Sequence, residues 1–210
     1  MRNRRSRDTI RFTPDLAQQV ASYMARYQLD DPVRAYSAIA SATHKNVSLH
    51  PADLEQIDLA LKNHLSLFEG ESYPLRIEKK RRLALSLMHL LSQFHPILYG
   101  RVASGSALQS SPIYLALEAD TSEEICRFLI DLDIPYRSFS LSLPLTLREK
   151  KLFDLIAFES GDDSIRLLHL PIQCRQRPLD PANGKPLRGL TLCALESQLS
   201  QDGQPNRPQK

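Results

Sequence analysis

No run in this 210-residue chain approaches the ~18 consecutive apolar residues that a membrane-crossing helix needs, which excludes a transmembrane segment. The arginines at the start are not followed by an apolar stretch, so the N-terminus does not read as a secretory signal. Cysteine is sparse: Cys126, Cys174 and Cys193 stand isolated, with no C-x-x-C spacing. Three scattered cysteines suit buried thiols in a reducing compartment better than a disulfide framework or a zinc site. The expected location is therefore cytoplasmic, with no membrane partner. The six histidines include no pair at helical i, i+4 spacing, so they offer no metal-ligand motif. The Gly100–Gly105 pair lacks the Gly-Lys-Ser/Thr of a phosphate-binding loop, and Ser104 and Ser106 lack the Gly-x-Ser-x-Gly frame of a nucleophile elbow. No cofactor is expected. What remains is ordinary for a globular chain: 42% hydrophobic and 24% charged residues.

The net charge of +3 is placed unevenly. Residues 1–12 carry five arginines against Asp8, which leaves the remainder of the chain at −1. Such an arm reads as disordered, and it either solubilises the chain or holds a polyanion without reading its sequence. A second basic run, Lys79-Lys80-Arg81-Arg82, is expected either as a solvated face balanced by Glu69, Glu71 and Glu78 or as a polyanion contact. On the second reading the nucleic-acid contacts are Arg4, Arg5, Lys79, Lys80, Arg81 and Arg82. No aromatic side chains are interleaved there to stack bases.

From residue 13 to about 95 the apolar residues recur at helical spacing. Thr13-Pro14-Asp15 predicts a helix start, with Leu16, Val20, Tyr23 and Met24 on one face. A second helix is expected over 32–43, with Val33, Tyr36, Ile39 and Ala40 inward. A third follows His50-Pro51, with Leu54, Ile57, Leu61, Leu65 and Phe68 on its stripe and Gly70 at its end. A long fourth helix over 76–94 carries Ala84, Leu87, Met88, Leu91 and Phe94. After His95-Pro96 the period shortens to two. Strands are expected over 97–103, 113–117, 134–143, 151–159 and 164–170. A helix opens at the capping box Thr121-Ser-Glu-Glu124, and 191–199 forms a closing helix. The stretch 173–189 reads as irregular and 201–210 as a frayed tail. The class is α+β: a helical region over 13–75, then a mixed sheet backed by helices over 76–200.

Residues 98–115 give this plan a more specific shape. A strand ends in Gly100, ten residues (Val102–Ser111) intervene, and a second strand begins at Pro112-Ile113-Tyr114-Leu115. That frame resembles the polymerase-beta-like nucleotidyltransferase superfamily, in which Gly-Ser ends one strand and Asp-x-Asp sits on the next. The helices around the motif and the late strand Ser164–Leu170 add to the likeness. The whole chain also resembles bacterial proteins with a nucleotidyltransferase-like domain, some of which keep the acidic pair. In the superfamily three carboxylates hold Mg²⁺ against a nucleoside triphosphate. The resemblance puts Arg101 at the serine, Pro112 and Tyr114 at the acidic pair, and Arg166 at the third acid.

Loss of all three carboxylates implies a protein that has lost the chemistry and acts as a binding or regulatory module. Its partner is another protein, a nucleotide or RNA; the oligomeric state is not readable. Two other readings stay open: an active nucleotidyltransferase with an atypical metal site, and a nucleic-acid-binding accessory protein. Glu118 shares a strand face with Tyr114 but lies roughly 13 Å further along, too far to restore the lost pair. Arg101, Ser104, Gly105, Ser106 and Arg166 could instead form a metal-free anion site. In the plainer alternative they make a tight turn, and the arginines pair with local acids. His89 is expected on a helix surface or satisfied within the fold, and His169 on one side of a strand.

Overall fold

The fold is seen in a computed structural model that describes residues 12–42, 49–146, 149–172, 176–180 and 182–202. Arg4, Arg5 and the tail beyond 202 lie outside them. The described residues form seven helices and one six-stranded mixed sheet, so the class is α+β.

Helix α1 spans Pro14–Tyr27, with the Thr13 hydroxyl accepting from the Leu16 amide at 3.3 Å. Helix α2 is Pro32–Ala42, α3 is Pro51–Glu69 and α4 is Ser72–Leu90, followed by a 3₁₀ turn at Ser92–Phe94. The expected stripes are buried at Val20 and Met24, at Ile57, Leu61 and Leu65, and at Ala84, Leu87, Met88, Leu91 and Phe94. Two positions depart from expectation. Val33 is exposed because the buried face of α2 centres on Ala35, Tyr36 and Ala40. Phe68 has the right angular phase, but burial also needs a neighbour at that height. It stands exposed in the last turn and packs on His64, with ring centroids 4.5 Å apart.

Strand β1 is only Ile97–Tyr99, not the longer strand expected. Gly100 ends it at φ +74°, and Arg101–Ser104 turns into the single-turn helix α5. Strand β2 is Ile113–Ala119 and helix α6 is Ser122–Asp131. Thr121 occupies the N-cap position of α6 without a side-chain bond there, so the expected capping box is not made. The adjacent Ser122 hydroxyl donates to Asp154 instead, at 2.9 Å. Then come β3 (Arg137–Pro144), β4 (Lys150–Ser160), β5 (Asp163–Pro171), the two-residue β6 (Leu190–Thr191) and α7 (Leu192–Asp202).

The sheet order is β3-β4-β5-β2-β1-β6, and only the central β2–β5 pair is parallel. One apolar cluster runs from α1 through α4 and across one sheet face to α7, taking in Ile113, Leu115, Leu117, Ile165 and Leu167. The opposite face has a smaller cluster, in which Leu187 covers Tyr99, Ala116, Leu155, Leu168 and Leu170. Alternation along β2 and β5 thus separates a helix-covered face from a partly open one.

Candidate functional site

The loop from Gly100 to Pro112 is held from below by one face of α4. Its carbonyls are met in turn by four side chains: Arg81 donates to Val102 (3.1 Å) and Ala103 (3.0 Å), and Tyr73 donates to Gly105. Arg76 donates to Ala107 at 3.4 Å and Lys80 to Ser111 at 2.9 Å. These groups satisfy backbone oxygens that a loop in the interior would otherwise leave unpaired. Lys80 also pairs with Asp163 at the start of β5, so one ammonium ties the loop to the strand beyond it.

The run Lys79–Arg82 is therefore split by helical phase. Lys80 and Arg81 are buried, while Lys79 and Arg82 are exposed, and Arg82 pairs with Glu78 at 2.7 Å. An exposed four-cation patch does not exist here, which corrects both surface readings of the cluster. His89 is exposed and pairs with Glu196 at 3.1 Å, and the buried His169 ring lies 3.0 Å from the Ala119 carbonyl.

Arg101, only 3% exposed, turns toward the helices. It reaches Asp58 of α3 at 2.8 Å, the Asp30 carboxylate at 3.3 Å and the Asp30 carbonyl at 3.1 Å. Ser106 donates to Asp58 as well, and Ser104 lies 2.9 Å from Ser106. Gly105, at φ +84°, closes α5. The donors expected to cradle an external anion thus converge on a carboxylate of the chain itself.

The open face of the sheet presents a different arrangement. The strand registers put Arg137, Ala157, Arg166, Tyr114 and Tyr99 side by side in one row across β3, β4, β5, β2 and β1. Register partners share a face, so this row runs across the open side. The Tyr99 and Tyr114 rings lie 5.4 Å apart, and a Cβ on Gly100 would meet the Tyr114 ring at 3.5 Å. The sequence-derived positions Gly100, Tyr114 and Arg166 are therefore neighbours, with Pro112 two residues before Tyr114. Glu118, further along the same face, pairs with Arg177 at 2.8 Å.

A divalent ion of the kind the resemblance implies does not fit these residues. It needs hard anionic oxygens, and the row offers a proline ring, a phenol and a guanidinium. Burial first, and then the Asp30 charge, push the Tyr114 phenol up, against the opposing pull of Arg166 and Arg101. Burial raises Tyr99 further, aided by Tyr114 and Asp180. Both phenols stay protonated at neutral pH, so neither supplies a phenolate ligand. Among the described residues no group of three His, Cys, Asp or Glu side chains is arranged to hold a metal ion.

Asp180 went unnoticed in the sequence. Buried in the excursion between β5 and β6, it accepts from the Gly100 amide at 3.2 Å and the Ala182 amide at 2.9 Å. Burial holds its carboxyl above the usual range, against the lowering effect of those two amides. A carboxyl with a raised folded pKa binds its proton more tightly in the folded state. Its contribution is fully present below the ordinary unfolded value of 3.8 and is lost as pH rises through the raised folded value. An asparagine side chain in its place would stay neutral throughout. The stability of Asp180→Asn relative to wild type is expected to rise with pH across the acidic range. Thermal melts of both proteins over a pH series check this, and a constant difference would contradict it.

A separate groove of about 720 Å³ lies among the helices, lined by Tyr23, Tyr27, His64, Leu67 and Phe68. It is far in sequence from the motif and carries no cluster of convergent charged groups. The row on the sheet has the more distinctive chemistry. Compared with known protein families and with curated proteins, the chain matches none.

Proposed function

We propose that this chain is a catalytically inactive, nucleotidyltransferase-like protein that acts as a binding or regulatory module. One observation carries the reading: Tyr114 and Arg166 stand in register on adjacent parallel strands, beside Gly100, where the resemblance calls for carboxylates. Two-metal phosphoryl transfer depends on anionic ligands that template the ions and on cations that neutralise developing charge. A guanidinium in place of one ligand repels the ion outright. With a protonated phenol and a proline in the other two places, both the template and the charge balance are gone.

Calorimetric titration with Mn²⁺ in the presence of nucleoside triphosphates tests this, together with an assay for labelled nucleotide transferred to protein or RNA. The expected result is no stoichiometric metal site and no transfer. A site of micromolar affinity, or any transferred label, would overturn the reading.

A further inference from the structure

Arg166 reaches across the sheet. Its guanidinium carbon lies 5.9 Å from the centre of the Phe139 ring, which belongs to β3, two strands away. On the intervening strand the register partner of Arg166 is Ala157, whose methyl leaves room for the arginine to lean diagonally over β4 toward Phe139. Arg137 precedes Phe139 by two residues on β3, so it shares that ring's face. The two arginines thus stand on one corner of the open face, on backbones roughly 10 Å apart, well within the combined reach of two arginine side chains.

Neither arginine is neutralised. Among the described residues, neither side chain makes a hydrogen bond or an ion pair, and the buried Nε of Arg166 has no partner. The carboxylates of Asp30, Asp31 and Glu118 are engaged elsewhere. Asp30 pairs with Arg101 and accepts from Ser111 at 2.5 Å, Asp31 caps α2 at the Val33 and Arg34 amides, and Glu118 pairs with Arg177. Glu159 lies on the same face two residues beyond Ala157, opposite Ser164, and bonds to neither arginine. Next to the cations the surface is apolar, with Phe139 40% exposed and Leu141 38% exposed.

We propose that this corner binds a phosphate monoester whose organic part carries an aromatic ring, without a metal ion. A single arginine suffices for a carboxylate. Two unpaired guanidinium groups match a dianion, and their planar forks suit phosphate oxygens. Phe139 and Leu141 then receive the ring. The proposal rests on the reading above in one respect: the anion is neutralised by arginine rather than by metal-bound carboxylates.

Phenyl phosphate and inorganic phosphate are titrated into the full chain, with a chelator present throughout, and binding is read by amide chemical-shift changes. Saturable binding of phenyl phosphate is expected, several-fold tighter than that of inorganic phosphate. Arg166→Gln and Arg137→Gln should each weaken it at least tenfold, the loss expected for one charge-assisted contact. Ala157→Leu keeps both charges but blocks the path of Arg166, and should weaken binding as well. Each variant lies on the partly open face, and its amide spectrum verifies that the fold is retained. Absence of saturable binding by wild type, unchanged affinity in Arg166→Gln, or equal affinity for the two phosphates would overturn the proposal. Because metal is chelated, these outcomes are independent of the Mn²⁺ and transfer assays, so either reading can fail without the other.

Discussion

Replacing Arg101 with glutamine is expected to cost about 3–5 kcal/mol of folding stability, the range for breaking a buried ion pair by removing one partner. The reason lies in what stays behind. Asp58 would keep only the Ser106 hydroxyl, and Asp30 only Ser111, among the contacts seen here. The Asp30 carbonyl would also lose its donor. These partners come from α3 and from the α1–α2 junction, so Arg101 fastens the β1–β2 loop to two parts of the helical layer at once. Arg101→Lys should recover little, because a single ammonium cannot reproduce a fork that serves two carboxylates. Arg101→Met combined with Asp58→Leu should lose less than Arg101→Gln, since the charge left unpaired at α3 is gone. Urea unfolding of the three variants measures this. A loss below about 1 kcal/mol for Arg101→Gln, the scale of an exposed pair, would show that the network is not the anchor described.

The long helices were legible because each has a local signature, whereas the single-turn α5 falls within an expected strand. Thr13-Pro14 and His50-Pro51 mark starts that any reader of propensities can find, and the 3.6-residue stripe of α4 announces its buried face. The strands were legible to within a few residues for the same kind of reason, except where Gly100 cut β1 short and at the two-residue β6, which no periodicity marks. What periodicity alone cannot show is the destination of long polar side chains. Lys79-Lys80-Arg81-Arg82 looks like one charged run, yet consecutive helix positions differ by about 100°. Two of the four residues must therefore leave the face of the others. Only the presence of an ordered loop beneath α4 tells which two are drawn inward.

The site divides in the same way. Gly100, Tyr114 and Arg166 were singled out through a spacing of ten residues and a late strand, and strand register brings them together. Arg137 and Ala157 belong to the same row, and Phe139 lies on the same face one register pair along, yet none of the three carries a sequence signal. No sequence signal states which residues of β3 and β4 lie opposite Arg166, since register is a long-range property. Asp58 and Asp30 were invisible for a related reason. An isolated aspartate, on a helix as at Asp58 or in a connection as at Asp30, reads as solvated until a buried arginine arrives from elsewhere in the chain.

The second large effect is expected at Lys80, only 4% exposed and bonded to Asp163 and to the Ser111 carbonyl. Lys80→Met keeps the unbranched stem and its packing but removes the ammonium. Asp163 then remains at the head of β5 with no counter-charge, and the Ser111 carbonyl loses a donor. A loss of about 3–5 kcal/mol is expected, comparable to that at Arg101. The companion substitution separates charge from shape. If the cost arises from the unpaired carboxylate, Lys80→Met with Asp163→Leu should be markedly more stable than Lys80→Met alone. Replacing a buried pair by apolar residues of similar volume is often close to neutral. If the cost arises from lost packing, the double variant should be worse than the single one. The effect should also appear at a distance. Lys80 ties the loop before β2 to the start of β5, the two strands that carry Tyr114 and Arg166. Amide hydrogen exchange in Lys80→Met should therefore speed up at both β2 and the first residues of β5, while α6 and the β3–β4 pair keep their protection relative to global stability. Uniform acceleration across all strands would instead mean that the pair stabilises the fold as a whole without specifically holding these two strands together.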